Sequence, residues 1–267
     1  MTLIPEAQGK IERFFSSFDG AARPLLLLDY DGTLAAFRVD RFKARPWAGV
    51  REQLASLQTQ DRTHMVVITG RPPAEIAPLL GLDPPLETWG LHGALRRFPD
   101  GCEELDEPPQ PTRDRLDELR ARLRRDSLGG LYEDKPNAAV MHWRGHPPAR
   151  VRQIEKRTRE LFEPLARLEG LKLLEFEAGL ELRAGRNKGG AVRELLRESP
   201  PGAPATYLGD DITDEEAFAA INQARSPHLS ILMRRQWRQT AADVWLRPPA
   251  ELLTFLGMWE KAAARTR

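Results

Sequence analysis

Apolar residues gather in short unbroken runs that stop at turn residues, and helix-length polar stretches separate the runs. Residues 25–28 (LLLL) stop at Asp29, residues 65–68 (MVVI) stop at Thr69, Gly70 and Arg71, and the run around Tyr207 stops at Gly209, Asp210 and Asp211. Unbroken apolar strands are those covered on both faces, so the pattern predicts an α/β fold with a Rossmann-like parallel sheet and crossover helices. In such sheets the crevice beyond the carboxyl ends of the strands takes the ligand, and the three polar clusters are expected to converge there. Helices over 4–18, from Asn187 to Leu196, from Thr213 and from about Pro249, with a strand near Ile231, complete the expected core.

The middle of the chain has another rhythm. Residues 112–125 and about 150–168 are spaced as helices, and β-like runs lie at 130–134, 138–143, 171–176 and 180–183. Helix, two strands, helix, two strands describes an antiparallel α+β unit inserted between the second and third core strands. It is expected at 108–184, with 1–107 and 185–267 forming the core. Pro136, directly after Lys135, would interrupt pairing unless it lies at an edge or bulge.

The 267 residues carry 40 basic and 39 acidic side chains, a balance of +1 that asks for no nucleic-acid partner. No apolar run approaches the roughly 18 residues of a membrane helix. Cys102 is alone, and Glu6, Lys10, Glu12 and Arg13 stand where a signal peptide needs an apolar centre, so a reducing cytoplasm is expected.

Asp29 and Asp31 leave a buried strand together, where their repulsion calls for a cation, and hard oxygen ligands suit Mg²⁺. The bland alternative is a solvated turn with an Asx-type cap. Asp210 and Asp211 add carboxylates at another strand end, with Asp214 just beyond. Here Thr213 could be an N-cap, with the acidic residues serving the helix dipole. Thr69 and Gly70 offer a hydroxyl and a backbone amide suited to a phosphate oxygen. Lys188, between Asn187 and Gly189 at a helix start, is either a phosphate-neutralising cation or a surface lysine.

The order of these four clusters resembles the haloacid dehalogenase (HAD) superfamily of phosphatases, over residues 25–216. The resemblance implies Asp29 as the nucleophile that forms an aspartyl phosphate, Asp31 as acid and then base, and Thr69 and Lys188 as holders of the phosphoryl oxygens. It also implies Mg²⁺ on Asp29, the Asp31 carbonyl and Asp210, with Asp211 and Asp214 as further candidates. The inserted unit then resembles the specificity cap of the sugar-phosphate branch. GDDITDE at 209–215, Thr69-Gly70-Arg71, Gly90-Leu91-His92-Gly93 and Glu181-Leu182-Arg183 are similar to segments of the trehalose-6-phosphate phosphatase family. That likeness implies hydrolysis of trehalose 6-phosphate, with Gly70, Arg71, Glu133, Lys135, Arg144, Glu181 and Arg183 binding substrate.

A disaccharide asks for carboxylate acceptors and arginine or lysine donors, and those charged residues are of the right type. Strand alternation puts Glu133 with Lys135 on one face, Glu181 with Arg183 on one face, and His142 with Arg144 on another. The bland reading is the polar face of a half-exposed sheet. His92 reads as a loop-shaping residue, and the basic stretch 38–45 has no assigned task. Two alternatives remain open: a sugar phosphatase of other or broader specificity, and a non-catalytic sugar-phosphate sensor or partner of trehalose-6-phosphate synthase. Oligomeric state is not encoded legibly.

Overall fold

The computed structural model describes residues 5–38, 40–126, 128–176 and 178–266. Ile4, at the start of the expected first helix, and Val39, in the basic stretch, lie outside the described residues. The chain divides into two compact units, Met1–Leu105 with Arg186–Arg267, and Asp106–Gly185.

The elements follow in chain order. The first unit begins with α1 (Pro5–Ser16), β1 (Leu25–Leu28), α2 (Val50–Gln60), β2 (His64–Ile68), α3 (Pro73–Leu80), β3 (Glu87–Gly90), β4 (Leu95–Arg97) and β5 (Glu103–Leu105). The second holds α4 (Gln110–Arg125), β6 (Tyr132–Lys135), β7 (Ala138–His142), α5 (Pro148–Ala166), β8 (Leu171–Phe176) and β9 (Gly179–Ala184). The chain then returns to the first unit with α6 (Lys188–Glu198), β10 (Ala205–Gly209), α7 (Glu215–Ile221), β11 (His228–Met233), β12 (Val244–Leu246) and α8 (Ala250–Ala263).

The first unit is one eight-stranded sheet ordered β12-β11-β10-β1-β2-β3-β4-β5, parallel from β12 to β3 and closed by the antiparallel β4 and β5. The four leucines of β1 are explained by its central place. Leu26 and Leu28 enter one core with α1, α2, α3 and α8, while Leu25 and Leu27 enter the other with α6 and α7. Met65 and Val67 divide from Val66 and Ile68 in the same way. Burying a leucine side chain contributes about 1.5–3 kcal/mol, so a charge at any β1 position would break the sheet at its centre. α1 is held by rings: Phe14, Phe15 and Phe18 pack against Trp259 of α8.

The strand order reverses between β1 and β10. From β1 the sheet grows through β2 and β3, and from β10 through β11 and β12. Diverging connections leave a crevice at that reversal, and β1 and β10 end there at Asp29 and Asp210.

The second unit is an antiparallel sheet ordered β6-β7-β9-β8. Ala139, Met141, Leu180 and Leu182 pack one face onto Leu116, Leu119 and Leu123 of α4 and Ile154 and Phe162 of α5. Pro136 interrupts nothing: β6 is an edge strand, and Pro136 with Asn137 forms the turn to β7. Among the described residues, no helix is long and apolar enough to cross a membrane.

Candidate active site

The first unit brings Asp29, Asp31, Thr69, Lys188, Asp210 and Asp214 onto the ends of β1, β2 and β10 and the start of α6. Asp29 is 4% exposed; its Oδ1 accepts a hydrogen bond from Lys188 Nζ at 2.7 Å and its Oδ2 one from Thr33 Oγ1 at 3.1 Å. Lys188 is the first residue of α6, after the Asn187 cap whose Oδ1 accepts from the Gly190 amide at 2.8 Å. Its ammonium, 3% exposed, also donates to Asp214 Oδ1 at 2.7 Å. It is no surface lysine.

Oxygens of Asp29, Asp210 and Asp214 all lie within 4.8 Å of one another. Like charges at that separation repel by about 3 kcal/mol per pair at an effective dielectric near 20, and one ammonium faces three carboxylates. Burial accordingly pushes Asp29 up to about 7, against the pull of Lys188. Burial, then Asp29, Asp214 and Asp211, push Asp210 up to about 9. Burial disfavours the Lys188 ammonium, but Asp214 and Asp29 outweigh it and raise its pKa. The Asp210 carboxylate accepts no hydrogen bond from the described residues.

Two glycines make this crowding possible. A Cβ on Gly32, whose φ is +82°, would fall 2.1 Å from Asp210 Oδ2, and one on Gly209 would fall 2.4 Å from Asp214 Cγ.

Asp214 corrects two expectations. Thr213 is not an N-cap; it lies inside the 3-10 turn Ile212–Asp214. Asp214 itself accepts from the Asp210 and Asp211 amides, each at 2.9 Å, and from Tyr207 Oη at 2.5 Å besides Lys188. A carboxylate has about four acceptor sites, and all four are engaged. Asp211 is half-buried and contributes its amide to Asp214 and its carbonyl to Arg238 at 2.7 Å.

Arg71, expected among the substrate ligands, faces Asp31 in this structure. Its Nε and Nη2 donate to Asp31 Oδ2 and Oδ1, both at 2.6 Å. Thr69 is 1% exposed, and its Oγ1 accepts from the Arg71 amide at 3.2 Å. A Cβ on Gly70 would fall 2.7 Å from the His92 ring, so glycine admits the close approach of that ring. His92, with φ at +59°, shapes the loop and donates its amide to the Thr69 carbonyl at 2.8 Å.

The other candidates sit in the second unit, on the sheet face opposite its helices. Glu133, Val140, Glu181 and Leu174 are in register there, as are Lys135, Ala138, Arg183 and Lys172. His142 shares this face rather than another one, and its Nε2 lies 2.8 Å from Glu133 Oε2. Lys135 Nζ is 3.4 Å from Glu181 Oε2; Glu181 and Arg183 are buried. Arg144 falls past the end of β7, exposed in the turn, and shares no strand face. Thr33 and Tyr207 were not singled out by the sequence. The signals were a threonine two residues after Asp31 and a tyrosine in a fully buried strand.

The arrangement offers a buried carboxylate held by a buried ammonium, a second carboxyl group two residues on, and a site short of positive charge. The trehalose-phosphatase family model matches residues 27–245, which spans every one of these residues. The chain belongs to the trehalose-phosphatase family.

A trehalose-phosphate phosphatase of Mycolicibacterium paratuberculosis is 29% identical over 96% of this chain and 66% of its own length. One of Mycobacterium marinum is 31% identical over 88% of this chain and 61% of its own. The chain thus spans about two thirds or less of the curated relatives it matches. The crystal structure of Aspergillus fumigatus trehalose-6-phosphate phosphatase is similar over 96% of this chain and 97% of that one, with TM-score 0.70 and 25% identity. A haloacid dehalogenase-like hydrolase of B. subtilis shares the fold, with TM-score 0.60 and 17% identity over 87% of this chain and 98% of that one.

Proposed function

We propose that this chain is a phosphoric monoester hydrolase that releases phosphate from trehalose 6-phosphate, with Asp29 as nucleophile. The observation that carries the reading is the Asp29 carboxylate, buried at the strand-order reversal and held by Lys188 beside the Asp210 carboxylate. Family membership supports the substrate class. The name of the relatives supports the sugar.

A phosphate monoester resists attack because its oxygens repel an anionic nucleophile, so a site must supply positive charge and hold the nucleophile in line. In the first transfer an Asp29 oxygen bonds to phosphorus as the bond to the sugar oxygen breaks, and that oxygen takes the electron pair and a proton from Asp31. In the second, a water oxygen bonds to phosphorus, Asp31 takes the water proton, and the Asp29 oxygen leaves with its electrons. Splitting one displacement into two lets a single carboxyl group carry the proton both ways. Lys188 Nζ and Thr69 Oγ1 hold the phosphoryl oxygens, and Asp214 holds Lys188.

The residues fit a hard divalent cation: two raised carboxyl groups, one without a hydrogen bond, and an excess of negative charge. Asp29 and Asp210 would hold Mg²⁺, whereas the Asp214 oxygens are already engaged. When bound, Mg²⁺ neutralises charge on the phosphate and fixes its orientation. Substrate selection we assign to the second unit as cap, with Glu133, Lys135, Glu181 and Arg183 as sugar contacts.

The test is phosphate release with Mg²⁺ from trehalose 6-phosphate, glucose 6-phosphate, sucrose 6-phosphate and p-nitrophenyl phosphate. Strong preference for the first is expected. Preference for another ester would move the error to the sugar contacts, and no release from any would favour a sensor.

A further inference from the structure

Arg71 follows Thr69 and Gly70 at the end of β2, and its guanidinium is built into a clamp. Its fork spans both oxygens of Asp31 at 2.6 Å, and its Nη1 donates to the Arg41 carbonyl at 2.7 Å. Nη1 also lies 3.7 Å from Glu75 Oε2, while Arg41 Nη2 pairs with Glu75 Oε1 at 2.8 Å. The guanidinium carbon sits 5.5 Å from the centre of the Tyr30 ring. Arg71 is only 9% exposed. The basic stretch that had no assigned task is therefore a brace. Its turn Arg41–Lys43 is capped by Asp40 Oδ1 accepting from the Phe42 amide at 3.1 Å, and Tyr30 Oη donates to the Ala44 carbonyl at 2.6 Å.

A planar fork on both oxygens fixes the torsion of a carboxylate as well as its place, which a point charge cannot do. We propose that Arg71 is the positioning residue for Asp31, and that Glu75 and the Arg41 carbonyl in turn hold Arg71. This rests on the phosphatase reading of the site. Arg71 then acts through Asp31 and does not bind substrate.

The two transfers separate that role from substrate binding. A sugar alkoxide needs the Asp31 proton when the phosphorus–oxygen bond breaks, whereas p-nitrophenolate leaves without it. Hydrolysis of the aspartyl phosphate needs Asp31 as base with either substrate. The experiment is stopped-flow with p-nitrophenyl phosphate and rapid quench with trehalose 6-phosphate, using Mg²⁺-supplied wild type, Arg71→Met, Arg71→Lys, Glu75→Gln and Asp29→Asn. Arg71→Met should give a stoichiometric burst of p-nitrophenolate before a slow steady state. With the sugar ester it should show no burst, a kcat lower by about 10²-fold and a little-changed KM. Arg71→Lys should lose less, and Glu75→Gln least, with the same signature; Glu75→Gln carries the test if Arg71→Met does not fold. A raised KM with no burst, or unchanged kinetics, would overturn the proposal. Wild-type turnover by Asp29→Asn would instead overturn the phosphatase reading beneath it.

Discussion

Asp214→Asn is the sharpest probe of how the site is held together. The carboxylate accepts from Lys188 at 2.7 Å and Tyr207 at 2.5 Å on one oxygen, and from the Asp210 and Asp211 amides at 2.9 Å on the other. Whichever way the replacement amide is turned, its NH₂ group faces two donors. Two buried donors then lose their acceptor, at about 1–3 kcal/mol each, and the charge buried Lys188 loses is offset by relief of the repulsion that Asp214 exerts on Asp29 and Asp210, so a total of about 3–5 kcal/mol is expected. That lowers Tm by roughly 6–20 °C for a chain of this size. Thermal unfolding of wild type, Asp214→Asn, Tyr207→Phe and the double variant measures it. In the Tyr207→Phe background one donor fewer is stranded, and the Asp214→Asn cost should fall by about 1 kcal/mol. A loss under about 1 kcal/mol for Asp214→Asn, or strict additivity in the cycle, would refute the four-donor account.

Glu87→Gln should cost about 3 kcal/mol, because its buried carboxylate accepts from Trp89 Nε1 at 2.9 Å and Arg96 Nε at 2.8 Å and lies 2.9 Å from His64 Nε2. Burial raises its pKa, but His64, Trp89 and Arg96 prevail and lower it, so its stabilisation is full above the ordinary glutamate pKa and is lost as pH falls through the folded value. Urea midpoints that decline equally in acid for wild type and Glu87→Gln would contradict this. Gly32→Ala should keep the fold while displacing Asp210, lowering kcat by about 10²-fold; a wild-type kcat would show that Asp210 need not stay where Gly32 admits it. Chelation should abolish turnover and Mg²⁺ restore it. Because Asp29 and Asp210 are pushed up to about 7 and about 9, Mg²⁺ binding should release protons and tighten as pH rises across that range, and calorimetry showing a pH-independent affinity would count against them as ligands.

Much of the core was legible because central parallel strands have no polar face: β1 and residues 65–68 of β2 read as unbroken apolar runs, and β10 as a run broken only by Thr206, each ending in functional residues. β3 did not. Its Glu87 and Thr88 look like a polar interruption until His64 and Arg96, from neighbouring strands, supply partners for Glu87. β4, β5 and β12 have three residues each, too few for any period to declare itself. At the site, residue types and strand ends were readable, but pairings were not. Arg71 and Asp31 are 40 positions apart and meet only through the sheet. Asp214 looks like a first-turn acid serving a helix dipole, whereas its partners are a lysine 26 positions before it and a tyrosine inside β10. Local sequence reports what a residue can do; the sheet decides to whom.

The central claim is that Asp29 attacks phosphorus. It is tested most directly by phosphate release from trehalose 6-phosphate, with Mg²⁺, by wild type and by Asp29→Asn of matched folded fraction. Turnover is expected from the first and none from the second. Release by Asp29→Asn at the wild-type rate would contradict that claim.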